Sequence, residues 1–185
     1  MRKKKTIWQK LLKGLLYVFS GFVALFLILA IYLYCVAIDY PPNPNDISSE
    51  KLQRSELSPG FYTIKNNWFR KSKSGLYELY VEGQPFERGV INGKLTKELV
   101  VKQEDYFTAQ IAKVVPSKFY RSFLKYFVAW FNRDLSKNVT EEYKEEIYGI
   151  SQSASDKYQY IGSNYQRILN YHGAQIGRAS CRERV

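Results

Sequence analysis

Hydrophobic and polar positions divide the chain into an apolar beginning and a mixed remainder. From Gly14 to Ile38 it reads GLLYVFSGFVALFLILAIYLYCVAI, 25 residues without a charge. As a helix this run is about 37 Å long at about 1.5 Å per residue, enough to cross a hydrocarbon core of about 30 Å. Backbone groups in lipid must be paired within the segment, so a helix is the state expected there. The next residues, DYPPNPNDISSE, carry Pro41, Pro42 and Pro44 among turn-forming side chains. They predict an irregular stalk over 39–60. FYTIKNNWF (61–69) and LYELYVEG (76–83) are rich in aromatic and β-branched residues and predict a hairpin whose loop ends at Gly75. Leu76, Glu78 and Tyr80 alternate with Tyr77, Leu79 and Val81, so both faces of the second strand are expected to be partly covered.

The rest follows helical spacing. Over 82–116, Val90, Ile91, Leu95, Leu99, Val100, Phe107, Ile111 and Val114 predict a helix that starts near Pro85 and stops at Pro116. Gly89 and Gly93 share one face of it. Each costs about 1 kcal/mol relative to alanine, so a close backbone approach, tight helix–sheet packing, is expected there. Over 117–135, with Ser117 as N-cap, Phe119, Phe123, Tyr126, Phe127, Trp130 and Phe131 form an aromatic stripe. Such a stripe is expected to be core. The alternative is a helix lying on a membrane, because Lys118, Arg121 and Lys125 give it a basic flank. Residues 138–158 predict a helix capped by Asn138 or Thr140, with Glu141, Glu142, Glu145 and Glu146 on a solvated face. Residues 163–173 predict a last helix that buries Ile168 and Leu169.

Charge sharpens the first element. The formal net charge of the 185-residue chain is +11, of which residues 1–13 supply +6 and 176–185 supply +2. The excess sits at the two ends, so no nucleic-acid partner is expected. Six cations before the apolar run place the N-terminus in the cytoplasm and the domain outside, with a lipid bilayer as partner. A cleavable signal peptide has a shorter apolar region and an A-x-A pattern of small residues at its cleavage site, a pattern that LYCVAIDYPP lacks. The expected organisation is a cytoplasmic basic segment (1–13), a transmembrane helix (14–38), a stalk (39–60) and an extracytoplasmic domain (61–175).

Two cysteines, Cys35 and Cys181, and one histidine, His172, provide no disulfide framework and no metal-ligand spacing. No metal and no cofactor are expected. Residues 176–185, IGRASCRERV, lack periodicity. They can be written in codons that resemble a common sequencing-library adapter, so this tail is expected to be non-native, and Cys181 with it.

VEGQPFERGVINGKL contains G-x-P-x-E-R-G-x-x-x-G: Gly83, Pro85, Glu87, Arg88, Gly89 and Gly93. The pattern resembles the N-terminal signature of the acyl-coenzyme A:6-aminopenicillanate acyltransferase family, cysteine N-terminal-nucleophile hydrolases and acyltransferases. The stretch over about 66–174 is similar to membrane-anchored bacterial members. The resemblance implies a chain that cleaves itself before a cysteine, whose freed α-amine and thiol become base and nucleophile. It implies an amide or thioester substrate and an αββα sandwich. The fold expected here is thus α+β, a transmembrane helix, a hairpin and several helices equivalent to the N-terminal part of that sandwich. The family's cysteine follows a glycine and precedes a small hydroxyl residue, whereas Cys181 lies between Ser180 and Arg182. No catalytic residue carries over. The six motif residues carry over as a structural or substrate-proximal group, with Arg88 either orienting substrate or paired to Glu87 or another carboxylate. The expectation is an inactive N-terminal fragment of an enzyme; the alternative is a non-catalytic anchored binding or scaffolding module.

Overall fold

The computed structural model describes residues 7–182, without the side chains of Ala37 and of 175–182. The cations Arg2, Lys3, Lys4 and Lys5 and the last three residues lie outside the described residues. The chain divides into two units, 1–38 and 39–185. The first is one helix, α1 (Ile7–Ala37). It begins before the apolar run because Ile7 to Lys13 contain no helix breaker and mostly good helix formers. Within Ile7–Val36 an 18-residue stretch has a mean hydropathy of 2.5 and no burial, so the helix is long and apolar enough to cross a membrane by length and composition.

The second unit is α+β. Its sheet is a four-stranded antiparallel meander in sequence order: β1 (Ser55–Ser58), β2 (Phe61–Ile64), β3 (Asn67–Lys71) and β4 (Tyr77–Tyr80). Two expectations are corrected here. The stalk is partly ordered, holding a 3-10 turn at Ser48–Lys51 as well as β1. The segment 61–69 is two strands, because the chain reverses at Lys65 and Asn66, with Ile64 opposite Asn67 and Lys65 at φ 52°. The polar pair Asn66-Asn67 is a turn signal inside an aromatic run. Asn67 is buried and fixes the corner. Its amide donates to the Ile64 carbonyl at 3.2 Å, and its carbonyl accepts from the Glu82 N–H at 2.6 Å.

Helices follow. The single helix expected over 82–116 is two, α2 (Pro85–Leu95) and α3 (Lys97–Val114). Thr96 leaves helical geometry at φ −106°, ψ 20°, and its hydroxyl donates back to the Asn92 carbonyl at 2.7 Å. A side chain that competes for a helical carbonyl in this way favours a break. Next come α4 (Lys118–Phe131), α5 (Glu141–Ser151) and α6 (Asn164–Arg182). Helix α4 starts as expected, the Ser117 hydroxyl accepting from the Tyr120 N–H at 3.3 Å. Helix α5 ends well before 158, and a 3-10 turn occupies Asp156–Tyr158. Helix α6 continues to Arg182, through residues for which no periodicity was expected. The Cys181 side chain lies outside the described residues.

Two cores hold these elements. One face of the sheet, Ile64 and Phe69, packs on Ile91 and Leu95 of α2. Helices α5 and α6 enclose Ile147, Ile150, Tyr165, Ile168, Leu169 and Tyr171 with Val100 of α3. Ile168 and Leu169 are buried as the spacing predicts. Helix α2 is therefore covered on both sides, by the sheet and by α5.

Candidate functional site

The six motif residues form one local device at the start of α2. Gly83 adopts φ 129°, a conformation that side chains disfavour, and turns the chain from β4 into the helix. Pro85 occupies the first helical position, where no N–H is needed. Glu87, in the first turn, sits near the positive end of the helix and accepts from Lys65 Nζ at 2.7 Å.

Arg88 pairs not with Glu87 but with two carboxylates of α5. Its Nε and Nη2 donate to Glu146 at 3.1 and 2.8 Å, and Nη2 also reaches Glu142 at 3.0 Å. These hydrogen bonds, Glu146 first and Glu142 second, hold the guanidinium above its ordinary pKa. Glu142 and Glu146 are one turn apart on α5, so they grip one cation together. The glutamate run expected to be a solvated face is thus partly an arginine clamp. Glu141 pairs with Lys144 within the helix instead.

Gly89 and Gly93 explain why α5 comes so close. A Cβ on Gly89 would stand 2.1 Å from the Glu146 carbonyl oxygen, and one on Gly93 would stand 2.9 Å from that of Ile150. Gly149 of α5 answers them, with a hypothetical Cβ 2.5 Å from the Phe86 carbonyl. The close approach is helix to helix. Helix–sheet packing, the sequence expectation, uses the other side of α2, through Ile91 and Leu95.

The pattern did not single out Glu104 and Arg167, which form a buried ion pair at 2.9 Å. Their side chains are almost wholly inaccessible. The second Glu104 oxygen accepts from the Ser155 N–H at 2.7 Å. Arg167 donates further to the Gly162 and Ser155 carbonyls at 2.8 and 2.6 Å. The pair fastens the connection between α5 and α6 onto α3. One signal was readable: Val100, Glu104, Phe107 and Ile111 share a helical face, so Glu104 occupies a core position. Beside the pair, burial pushes the Tyr171 phenol up to about 12, with the Glu104 charge adding and Arg167 opposing.

For covalent chemistry the described residues offer little. Cys35 is exposed on α1. His172 Nδ1 is 2.9 Å from the Ile168 carbonyl and donates within its own helix. An open groove of about 620 Å³ runs between α3, α4 and α6, lined chiefly by Tyr106, Phe107, Ile111, Val114, Leu124 and Tyr171.

The aromatic stripe is not core. Phe119, Phe123, Tyr126, Phe127, Trp130 and Phe131 are all exposed, Phe119 by 87%. The half-buried side of α4 is Arg121, Leu124, Lys125 and Ala129. Spacing establishes that a stripe exists, but the polar anchors on the opposite side decide which way it faces. Compared with models of protein families, with curated proteins and with solved structures, the chain has no significant match.

Proposed function

We propose that this chain is the membrane-anchored, amino-terminal part of a cysteine N-terminal-nucleophile amidohydrolase or acyltransferase. The observation that carries the proposal is that the motif behaves as one physical unit. Gly83 makes the turn, Pro85 starts the helix, Arg88 locks α5, and Gly89 and Gly93 admit its backbone. These five residues suit their places, which supports reading the string as a device of the kind the resemblance implies. Its role is to hold α2 and α5 rigidly, as a scaffold for a catalytic half that carries the cysteine. Helix α1 is the anchor, with its cationic end in the cytoplasm and residues 39–185 outside, in a bacterial cytoplasmic membrane. The substrate is an amide or thioester, and the acyl group passes from sulfur to water or an amine.

The test starts from the source DNA beyond codon 175. The reading frame found there is expressed in membranes, and its chains are weighed by mass spectrometry. The expected result is cleavage immediately before a cysteine, with amide hydrolysis lost when that cysteine becomes alanine. A frame that stops without such a cysteine, or an uncleaved and inactive product, overturns the proposal. That outcome favours a second reading, an anchored binding or scaffolding module, to which the exposed aromatic face of α4 also lends support. Resistance to alkaline extraction from membranes tests the anchor separately.

A further inference from the structure

Helix α4 is amphipathic in the reverse of the usual sense. Its polar side faces the protein. Arg121 donates to the Val115 and Pro116 carbonyls at 2.8 and 3.0 Å, closing the end of α3. Lys125 reaches the Tyr160 carbonyl at 3.3 Å, and Asn132, just past the helix, donates to Asn170 of α6 at 2.9 Å. These ties hold the opposite face outward. That face carries Phe119, Phe123, Tyr126, Phe127, Trp130 and Phe131, and no residue of α4 is fully buried.

We propose that this face lies in the interfacial layer of an anionic bilayer, the same membrane that α1 enters. Three observations choose this occupant. First, the side chains suit the site: Trp and Tyr favour the headgroup level, and phenylalanines supply apolar area just below it. Second, the surroundings are cationic. From Tyr106 to Arg133 there is no Asp or Glu; besides the inward-turned Arg121 and Lys125 the stretch holds the exposed Lys113, Lys118 and Arg133, complementary to acidic headgroups. Third, the chain enters this unit at Asp39, directly after the apolar helix. The unit is thereby tethered to the end of that helix. Tethering makes docking effectively intramolecular, so a weak intrinsic affinity is sufficient.

This inference takes from the proposed function only the anchor, not the enzymatic chemistry. The experiment uses the full chain carrying Trp8→Phe and Trp68→Phe, which leaves Trp130 as its single tryptophan. It is reconstituted into vesicles of phosphatidylcholine with phosphatidylglycerol, or of phosphatidylcholine alone, with acyl chains brominated near the headgroup. Flotation with the vesicles reports the anchor independently. The expected result is blue-shifted Trp130 emission, quenched about twofold or more by bromolipid in the anionic vesicles, weakly quenched by aqueous iodide, and less lipid-quenched without the anionic lipid. Phe123→Glu with Phe127→Glu reverses the blue shift, the bromolipid quenching and the protection from iodide while leaving the far-ultraviolet dichroism unchanged. Floating protein whose Trp130 is quenched by iodide and not by lipid overturns the proposal. So does Trp130 shielded from both quenchers, which identifies a protein surface, a second copy or a further part of the chain, as the occupant.

Discussion

Helices α2 and α4 both carry a conspicuous stripe, and they use it in opposite ways. The α2 stripe is made of nothing: Gly89 and Gly93 let the α5 backbone sit where side chains would be. The α4 stripe is made of the largest side chains available, and they stay exposed. Around the first, ionic groups close the joint, Arg88 on Glu142 and Glu146. Around the second, ionic and polar groups face inward and push the aromatic rings out. Size and hydrophobicity therefore do not decide burial alone. What decides it is which side of a helix carries the groups that satisfy its neighbours' carbonyls.

The contrast can be broken from the closed side first. Arg167→Met leaves Glu104 buried without its cation, a change expected to cost about 3–5 kcal/mol. Chemical unfolding of the full chain in detergent, followed by the fluorescence of Trp68 with Trp8 and Trp130 changed to Phe, measures it. Adding Glu104→Gln should recover part of the loss, whereas an equal loss in single and double variants would remove the pair from the account. Next in size is Gly89→Ala. The new methyl must displace backbone at the Glu146 carbonyl, so a loss of about 3 kcal/mol is expected, the upper end of overpacking. The same unfolding measurement checks it. A neutral result would mean that the α2–α5 joint is looser than described.

A pH titration sharpens the same side. Burial raises Tyr165 and Tyr171 to about 12 from the ordinary 10.0. The folded protein therefore keeps these protons when the unfolded chain has begun to release them. The associated stability is intact below about pH 10 and falls as pH rises from about 10 to about 12. Tyr171→Phe should flatten this alkaline loss, seen as a shallower dependence of the unfolding midpoint on pH and one fewer late phenolate in ultraviolet absorbance. The smallest effect is expected on the open side. Phe123→Ser in α4 should change stability by less than about 0.5 kcal/mol, because the ring is already exposed and removing it opens no cavity. A loss of 2 kcal/mol or more in the same assay would place the ring in a core and dissolve the contrast.

Much of this was legible in the sequence because the signals are local. An uncharged run of 25 residues is a long apolar helix whatever follows it. Pro85, Pro116 and Ser117 mark helix ends through their own backbone chemistry, and α2, α3 and α4 start or stop beside them. The periodicity of Ile168 and Leu169 implies burial, and both are buried. Gly89 and Gly93 announced a close approach. The turn at Lys65 and Asn66 and the break at Thr96 were missed because apolar periodicity ran across them while single polar side chains redirected the backbone.

By itself, then, the sequence determined the apolar helix, the α+β character, about half of the helix ends and the existence of the two stripes. These follow from dihedral preferences and from spacing along one element. Only the tertiary structure decided what the stripes meet. It brought α5 rather than the sheet to the glycines, joined Glu104 to Arg167 across 63 positions, and turned the α4 rings outward. A buried charge needs a partner and a hydrogen-bond donor needs an acceptor, and both come from distant parts of the chain that spacing does not name. The choice of face is a property of the packed neighbours, which a pattern along one helix cannot contain.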